Sequence, residues 1–466
     1  MKLMVEGRGD FLLESVEGGE VRGRYSLLGL DPDLVFRADD RKASINRVWR
    51  QDRMAFEDCA SETLPALRRL LDECRIDVPE GLPPALACLV GYFGYEAIGL
   101  VEKVPRAADK ALDVPDMLFV RPTILLVFDS LKDALFCIAP LWPDGRDAEE
   151  SLVAAQESID AALAKLSDAT PRPVPGAADQ REPTPEAKMP ADEFASMVGR
   201  AKEYISAGDI FQVVLSQRFE APFTLPAMAL YRALRRVNPS PFLYFLDLPG
   251  FALVGSSPEI LVRVRDGEVT VRPIAGTRPR GANVQDDRAA EESLLADPKE
   301  RAEHLMLLDL GRNDVGRVAS QGSVEVTDSF SVERYSHVMH IVSNVVARLD
   351  PDKDALDALF AGFPAGTVSG APKVRACEII VELEHATRGP YAGGVGYFAP
   401  DGTLDSCIVL RTAVVKDGMM HVQAGAGIVA DSDPAYEQRE CEAKAGALFA
   451  AAREAVRLAQ EPGYGQ

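Results

Sequence analysis

The stretch EILVRVRDGEVTVRP, residues 259–273, constrains the fold more than any other part of the chain. Apolar and charged residues alternate on both sides of Asp266-Gly267, a dipeptide that favours the tight turn of a β-hairpin. A hairpin imposes antiparallel pairing, which argues against a parallel, doubly wound sheet. Further strand-like runs are RYSLLGLDP, ALACLVGYFGY and TILLVFDSLKDALFCIAP toward the amino terminus, then IFQVVLSQRFE, FLYFLDL, FALVGSS and MMHVQAGAGIVADSD. Helical spacing of apolar residues marks DAEESLVAAQESIDAALAKL, ADEFASMVGRAKEYISAGD (closed by Gly208), ERAEHLMLLDLGRNDVGRV, APKVRACEIIVELE and DPAYEQRECEAKAGALFAAAREAVRLAQ. The expectation is an α+β architecture, with antiparallel β-sheets packed face to face and helices on the outside.

From Ala169 to Pro190 the chain carries six prolines and no aromatic residue. Proline fixes φ and removes backbone donors, so this stretch reads as a linker. It divides the chain into residues 1–168 and residues 191–458. With 466 residues, 47% apolar and 26% charged, the chain is long and apolar enough for a large buried core. Its formal net charge of −21 repels phosphate backbones and anionic lipid, so neither nucleic acid nor a membrane is an expected partner. An anionic substrate would then need positive charge, or a metal, supplied locally. Seven scattered cysteines with no CxxC give a reduced pattern without zinc-ligand spacing. The opening MKLMVEGRGDFLLES is not a secretory signal, and a cytoplasmic location is expected.

Four groups of residues suit chemistry. Glu300 and Glu303, and separately Glu437 and Glu440, lie three apart on helical patterns, so each pair shares a face. Two such faces opposed would suit Mg²⁺, although solvated helix faces account for the same spacing. Glycine-rich turns are expected at Gly276-Thr277, Gly366-Thr367 and Gly425-Ala426-Gly427, where backbone N–H groups could meet an anion or simply close a turn. Arg411 and Lys373 place positive charge beside them. The arginine fork matches a carboxylate, while an ordinary ion pair is the plainer reading. Among the five histidines, His340 lies in the amphipathic run ERYSHVMHIVSN and suits either a structural or an acid–base role. No GxxxxGK[ST] loop and no GxSxG elbow occurs.

Taken together, IAGTRPRG, AEHLMLLDLGRNDVGRV, FPAGTVSGAPK, YAGGVGY, CIVLRTA and QAGAGIVADSDP occur in one order over residues 270–445. In this set the chain resembles the chorismate-utilising enzymes, and within them the anthranilate synthase component I branch. The resemblance covers nearly the whole chain. It implies conversion of chorismate and ammonia to anthranilate and pyruvate with Mg²⁺, the first committed step of tryptophan synthesis. By the same resemblance, Glu303, Glu440 and Glu437 hold the metal, with Glu300 in the same cluster. Gly276, Thr277, Tyr391, Arg411, Gly425, Ala426 and Gly427 would bind the substrate. Glu259 in GSSPE matches the general acid, and His340 and Thr367 match positions tied to the elimination of pyruvate. Gln212 stands where isochorismate-forming relatives place a lysine that activates water. Ala275 in PIAGT stands where aminodeoxychorismate synthases carry the lysine of PIKGT. Both replacements favour direct attack by ammonia.

The amino-terminal half resembles the tryptophan-sensing part of the family. Ser15 in LLES and Pro241, Phe242 and Leu243 in NPSPFLYF match effector positions. The usual run Pro-Tyr-Met is altered to Pro-Phe-Leu, which removes a hydroxyl but keeps an apolar pocket. Members of the family usually carry some tens of residues before this point, so the opening is short against that pattern. No part of the chain resembles a glutamine amidotransferase. Ammonia is therefore expected from a separate component II subunit, in a heterotetramer, with tryptophan as an allosteric inhibitor. The rival expectations are an aminodeoxychorismate synthase component and a catalytically silent, tryptophan-binding relative.

Overall fold

The computed structural model describes residues 3–15, 23–142, 145, 147–167, 182–335 and 338–460. The hairpin forms where its sequence places it. Strands Ile260–Arg265 and Glu268–Val271 pair antiparallel across Asp266 (φ 52°) and Gly267 (φ 73°), the two left-handed positions that a two-residue turn needs. Antiparallel ladders then build an 11-stranded and a 12-stranded sheet.

The sheets pack face to face. Phe11, Tyr244, Leu246 and Leu253 of the first meet Val90, Tyr92, Val120 and Val395 of the second in one core. The Tyr92 and Phe251 rings meet edge-on at 5.8 Å across that layer. A second core includes Val213, Leu215, Val254 and Ala413 of the first sheet with Phe194, Leu230, Leu448 and Phe449 of helices laid against it. The α+β expectation is met.

Both sheets draw strands from both sides of the Pro-rich stretch. Phe11–Glu14 pairs with Phe242–Leu248, placing Phe11 opposite Leu246. Leu89–Phe93 pairs with Gly394–Phe398, placing Phe93 opposite Gly394. Residues 168–181, which include the start of that stretch, lie outside the described residues. Its later part runs along the first sheet, where Glu186–Ala187 pairs with Phe219 and Glu220. Among the described residues, no helix is long and apolar enough to cross a membrane.

The elements that matter for the site are strands β1 (Gln212–Pro222), β2 (Ile260–Arg265), β3 (Ile274–Pro279), β4 (Val338–Arg348) and β5 (Met419–Ile428), with helices α1 (Pro298–Gly316), α2 (Lys373–Glu384) and α3 (Pro434–Gln460). Strands β1 and β5 pair in the first sheet, β3 and β4 in the second.

Candidate active site

The β3–β4 ladder sets Thr277 opposite His340, with a register shift between Ala275 and Thr277. Gly276 is the shifted residue, with φ 70°, so it forms a β-bulge rather than a turn between elements. A Cβ there would lie 3.0 Å from Glu300 Oε2, so glycine also lets the bulge approach the acid. The bulge turns the Gly276 carbonyl onto His340, whose Nδ1 lies 2.9 Å away and 3.2 Å from Thr277 Oγ1. A carbonyl can only accept, so Nδ1 carries the proton and Nε2 keeps its lone pair. Burial holds the imidazole below its ordinary pKa, and the nearby Arg411 charge adds to this.

The four glutamates come from the first two turns of two capped helices. Asp297 accepts the Lys299 and Glu300 N–H groups at the start of α1, and Asp433 accepts that of Tyr436 at the start of α3. Glu303 is raised above the usual carboxylate range by burial, then by the charges of Glu300 and Glu440. Glu437 is raised by burial and by Glu440. The charges at the two helix starts therefore reach one another. Two of the four acids are held by bases: Glu300 by Arg278 at 2.8 Å and Glu440 by Lys444 at 2.7 Å. Among the described residues no three acid, histidine or cysteine groups stand ready around one ion. Spacing along a helix sets which acids share a face, but not which bases fold over them.

Gly425, Ala426 and Gly427 depart from the expected turn. They lie within β5, opposite Ser216, Leu215 and Val214 of β1. Glycine is needed there for close approach. A Cβ on Gly425 would lie 2.7 Å from Tyr391 Oη and 2.8 Å from the Leu215 carbonyl. One on Gly427 would lie 2.5 Å from Gln212 Nε2, and that amide reaches Glu303 Oε1 at 3.5 Å. Gln212 Oε1 is buried without a hydrogen-bond partner among the described residues. Gln212 thus links the glycine strand to the acidic helix ends.

Glu259 precedes β2 and is 7% exposed. Burial drives its pKa to about 8, although the Thr367 hydroxyl, donating at 3.1 Å, pulls it down somewhat. Thr367 belongs to the short 3₁₀ turn Gly366–Val368, which packs against β1 and β5. Arg411 follows the strand Leu404–Ile408 with φ 47°. It is half-buried and forms no ion pair among the described residues, and loss of solvent around it lowers its pKa. Lys373 is turned inward, donating to Asp314 at 2.8 Å and to the Gly362 carbonyl, so it is not part of this group.

The sequence reading missed Lys444. It holds Glu440 and also donates to the Gly425 carbonyl at 2.9 Å, bringing positive charge to the glycine strand. Its spacing of four from Glu440 was the available signal.

A separate cavity of about 520 Å³ opens between the sheets. Ser15, Pro241, Phe242 and Leu243 line it together, with Arg24, Arg263, Tyr397 and Asp405. The β-ladder explains their meeting, since Glu14 lies opposite Leu243. Pro258 and Ile260, on either side of Glu259, also line this cavity.

Comparison with known proteins identifies the family. A family model described as chorismate binding enzyme matches residues 10–450. Anthranilate synthase component 1 of Cereibacter sphaeroides is 52% identical, over 100% of this chain and 93% of its own length. That of Thermus thermophilus is 46% identical, over 97% and 94%. The crystal structure of anthranilate synthase component I from Streptococcus pneumoniae superposes with a TM-score of 0.81 at 35% identity, covering 93% of this chain and 94% of that one. The menaquinone-specific isochorismate synthase of Escherichia coli shares the fold, with a TM-score of 0.73 at 21% identity over 96% and 89%. With the family model, the full-length relatives and the shared fold in agreement, the chain belongs to the chorismate binding enzyme family.

Proposed function

We propose that the chain is the component 1 subunit of a cytoplasmic anthranilate synthase, converting chorismate and ammonia to anthranilate and pyruvate. The observation that carries this reading is Glu259, a buried carboxyl with a pKa near 8 whose one side-chain partner among the described residues is a hydroxyl. It is protonated at neutral pH, as a general acid must be. Relatives named component 1, similar along their whole length, support the same choice.

Chorismate is a dianion, and the site offers it the half-buried guanidinium of Arg411, which has no ion pair among the described residues, and the Lys444 ammonium beside Gly425. Tyr391 closes on the glycine strand so tightly that Gly425 has no room for a Cβ, and the two would form one wall for the ring. Ammonia adds at C2 while the C4–O bond breaks, and Glu259 gives its proton to the departing hydroxyl, which leaves as water. The C2 proton is then removed and the ether bond at C3 breaks, releasing pyruvate. His340, with its proton on Nδ1 and no partner to Nε2 among the described residues, is suited to accept that proton. Gln212 and Ala275 supply neither a base for water nor an amine, which favours ammonia as the nucleophile.

Glu303, Glu440 and Glu437 would hold Mg²⁺ once drawn together, Lys444 giving up Glu440, since among the described residues no three such groups yet surround one point. Glu303 is a half-buried carboxylate made costlier by its acidic neighbours, and its one hydrogen-bond partner among the described residues is a long amide contact. Bound there, a divalent ion would neutralise the substrate's charge. We place tryptophan in the cavity of Ser15, Pro241, Phe242 and Leu243 as a feedback inhibitor. A glutamine amidotransferase subunit would supply ammonia in a heterotetramer.

The test is anthranilate fluorescence and pyruvate release from chorismate, ammonium and Mg²⁺ with the purified chain. Formation of a 4-amino product, or no product, would overturn the assignment.

A further inference from the structure

We propose that Arg388, which the reaction above does not use, is a positioning residue that sets Tyr391, Thr367 and the glycine strand relative to one another. Arg388 is 2% exposed, and its guanidinium holds Glu384, four residues earlier, through Nε at 2.8 Å and Nη2 at 2.5 Å. The other donors reach two backbone carbonyls from distant parts of the chain. Nη1 donates to Val368 at 2.8 Å and Nη2 to Val214 at 2.7 Å. Val368 follows Thr367, whose hydroxyl meets Glu259. Val214 is the ladder partner of Gly427.

The pair reaches the remaining wall as well. The guanidinium sits 5.6 Å from the Tyr391 ring centre, with the Tyr95 ring on it at 4.7 Å. Glu384 Oε1 accepts both the N–H and the hydroxyl of Ser216, at 2.8 and 3.0 Å, and Ser216 pairs with Gly425. The segment is anchored from the amino-terminal half, where Glu96 accepts the N–H groups of Arg388 and Gly389 at 2.7 and 3.0 Å. One planar fork therefore ties together the acid's hydroxyl partner, the substrate-facing tyrosine and both strands of the glycine floor.

Stability alone does not account for it. A buried ion pair is often matched or bettered by apolar residues of similar volume. What apolar residues cannot do is fix two carbonyls and a ring at defined angles, which a guanidinium does.

This inference rests on the proposed reaction, so wild type and variants are assayed together with chorismate, ammonium and Mg²⁺. Arg388→Lys keeps a positive charge against Glu384 but cannot donate to both carbonyls in one plane. The double variant Arg388→Met with Glu384→Gln removes the charges and leaves an acceptor for Ser216. At least one should fold with a near-wild-type circular dichroism spectrum. Its kcat/KM should fall about 10²-fold, the cost of an ångström's misplacement. The alkaline limb of its pH profile should also move upward, as Thr367 leaves Glu259. A folded variant with unchanged kcat/KM and an unmoved limb overturns the proposal. So does activity that falls only in step with the folded fraction, or failure of both variants to fold, either of which marks the pair as structural. A wild type inert toward chorismate removes the reaction itself, and the positioning role with it.

Discussion

The Thr367 hydroxyl donates to Glu259 Oε1 at 3.1 Å, joining two residues 108 positions apart in a partly buried setting. Glu259 is in acid form below a pKa of about 8 and loses its proton as pH rises through that value. Activity that depends on the acid should therefore be full at neutral pH and fall on the alkaline side. Glu259→Gln should lower kcat roughly 10²- to 10⁴-fold and erase that limb. Thr367→Val removes an interaction that lowers the pKa, so the limb should move to higher pH. The pH dependence of kcat/KM tests both, and a limb that stays put in Thr367→Val would detach the two residues.

Arg411→Ala should act on substrate capture. Losing a charge-assisted contact costs about 1.5–3 kcal/mol, or about a 10- to 100-fold rise in KM for chorismate. Steady-state kinetics at saturating ammonium give the answer, and an unchanged KM would remove the contact.

Glu303→Gln should abolish Mg²⁺ binding measured by titration calorimetry, along with Mg²⁺-dependent turnover. Burial and acidic neighbours disfavour the charged form of Glu303, so the neutral amide should leave Tm unchanged or raise it. Mg²⁺ binding at wild-type affinity would rule this carboxylate out as a ligand.

Two glycines of one strand should behave differently. In Gly427→Ala the new methyl meets only the tip of the flexible Gln212 side chain, so Tm should hold while turnover drops. In Gly425→Ala it meets the Leu215 carbonyl and Tyr391 Oη, and overpacking should cost about 1–3 kcal/mol as well. Thermal melts beside activity assays separate the pair, and equal Tm losses would contradict the geometry.

The sequence reached furthest where structure is local. Alternation about Asp266-Gly267 foretold the hairpin, and apolar periodicity located α1, α2 and α3, because both depend on neighbours a few residues away. Pairing between distant strands was out of reach. Nothing in LLES says that Glu14 will lie opposite Leu243, since register between remote segments is set by the packed core. The same limit shaped the site. Gly425 and Gly427 suggested a turn, but their smallness answers to Tyr391 and Gln212, which approach from elsewhere. The acidic pairs were found by spacing, whereas the bases over Glu300 and Glu440 were not. Arg278 comes from another strand, and Lys444 lies one helical turn further on.

The interleaving of both halves in each sheet bears on how the chain is made. The strand Phe11–Glu14 finds a neighbour in Phe242–Leu248, and β1 must wait for β5, more than 190 residues later. At ~5–20 residues per second on the ribosome, unpaired edges stay open for on the order of ten seconds or more before either sheet can close. Neither half forms a sheet that it could complete during synthesis, so a nascent chain stalled in its last tenth would be an aggregation hazard rather than a shortened enzyme.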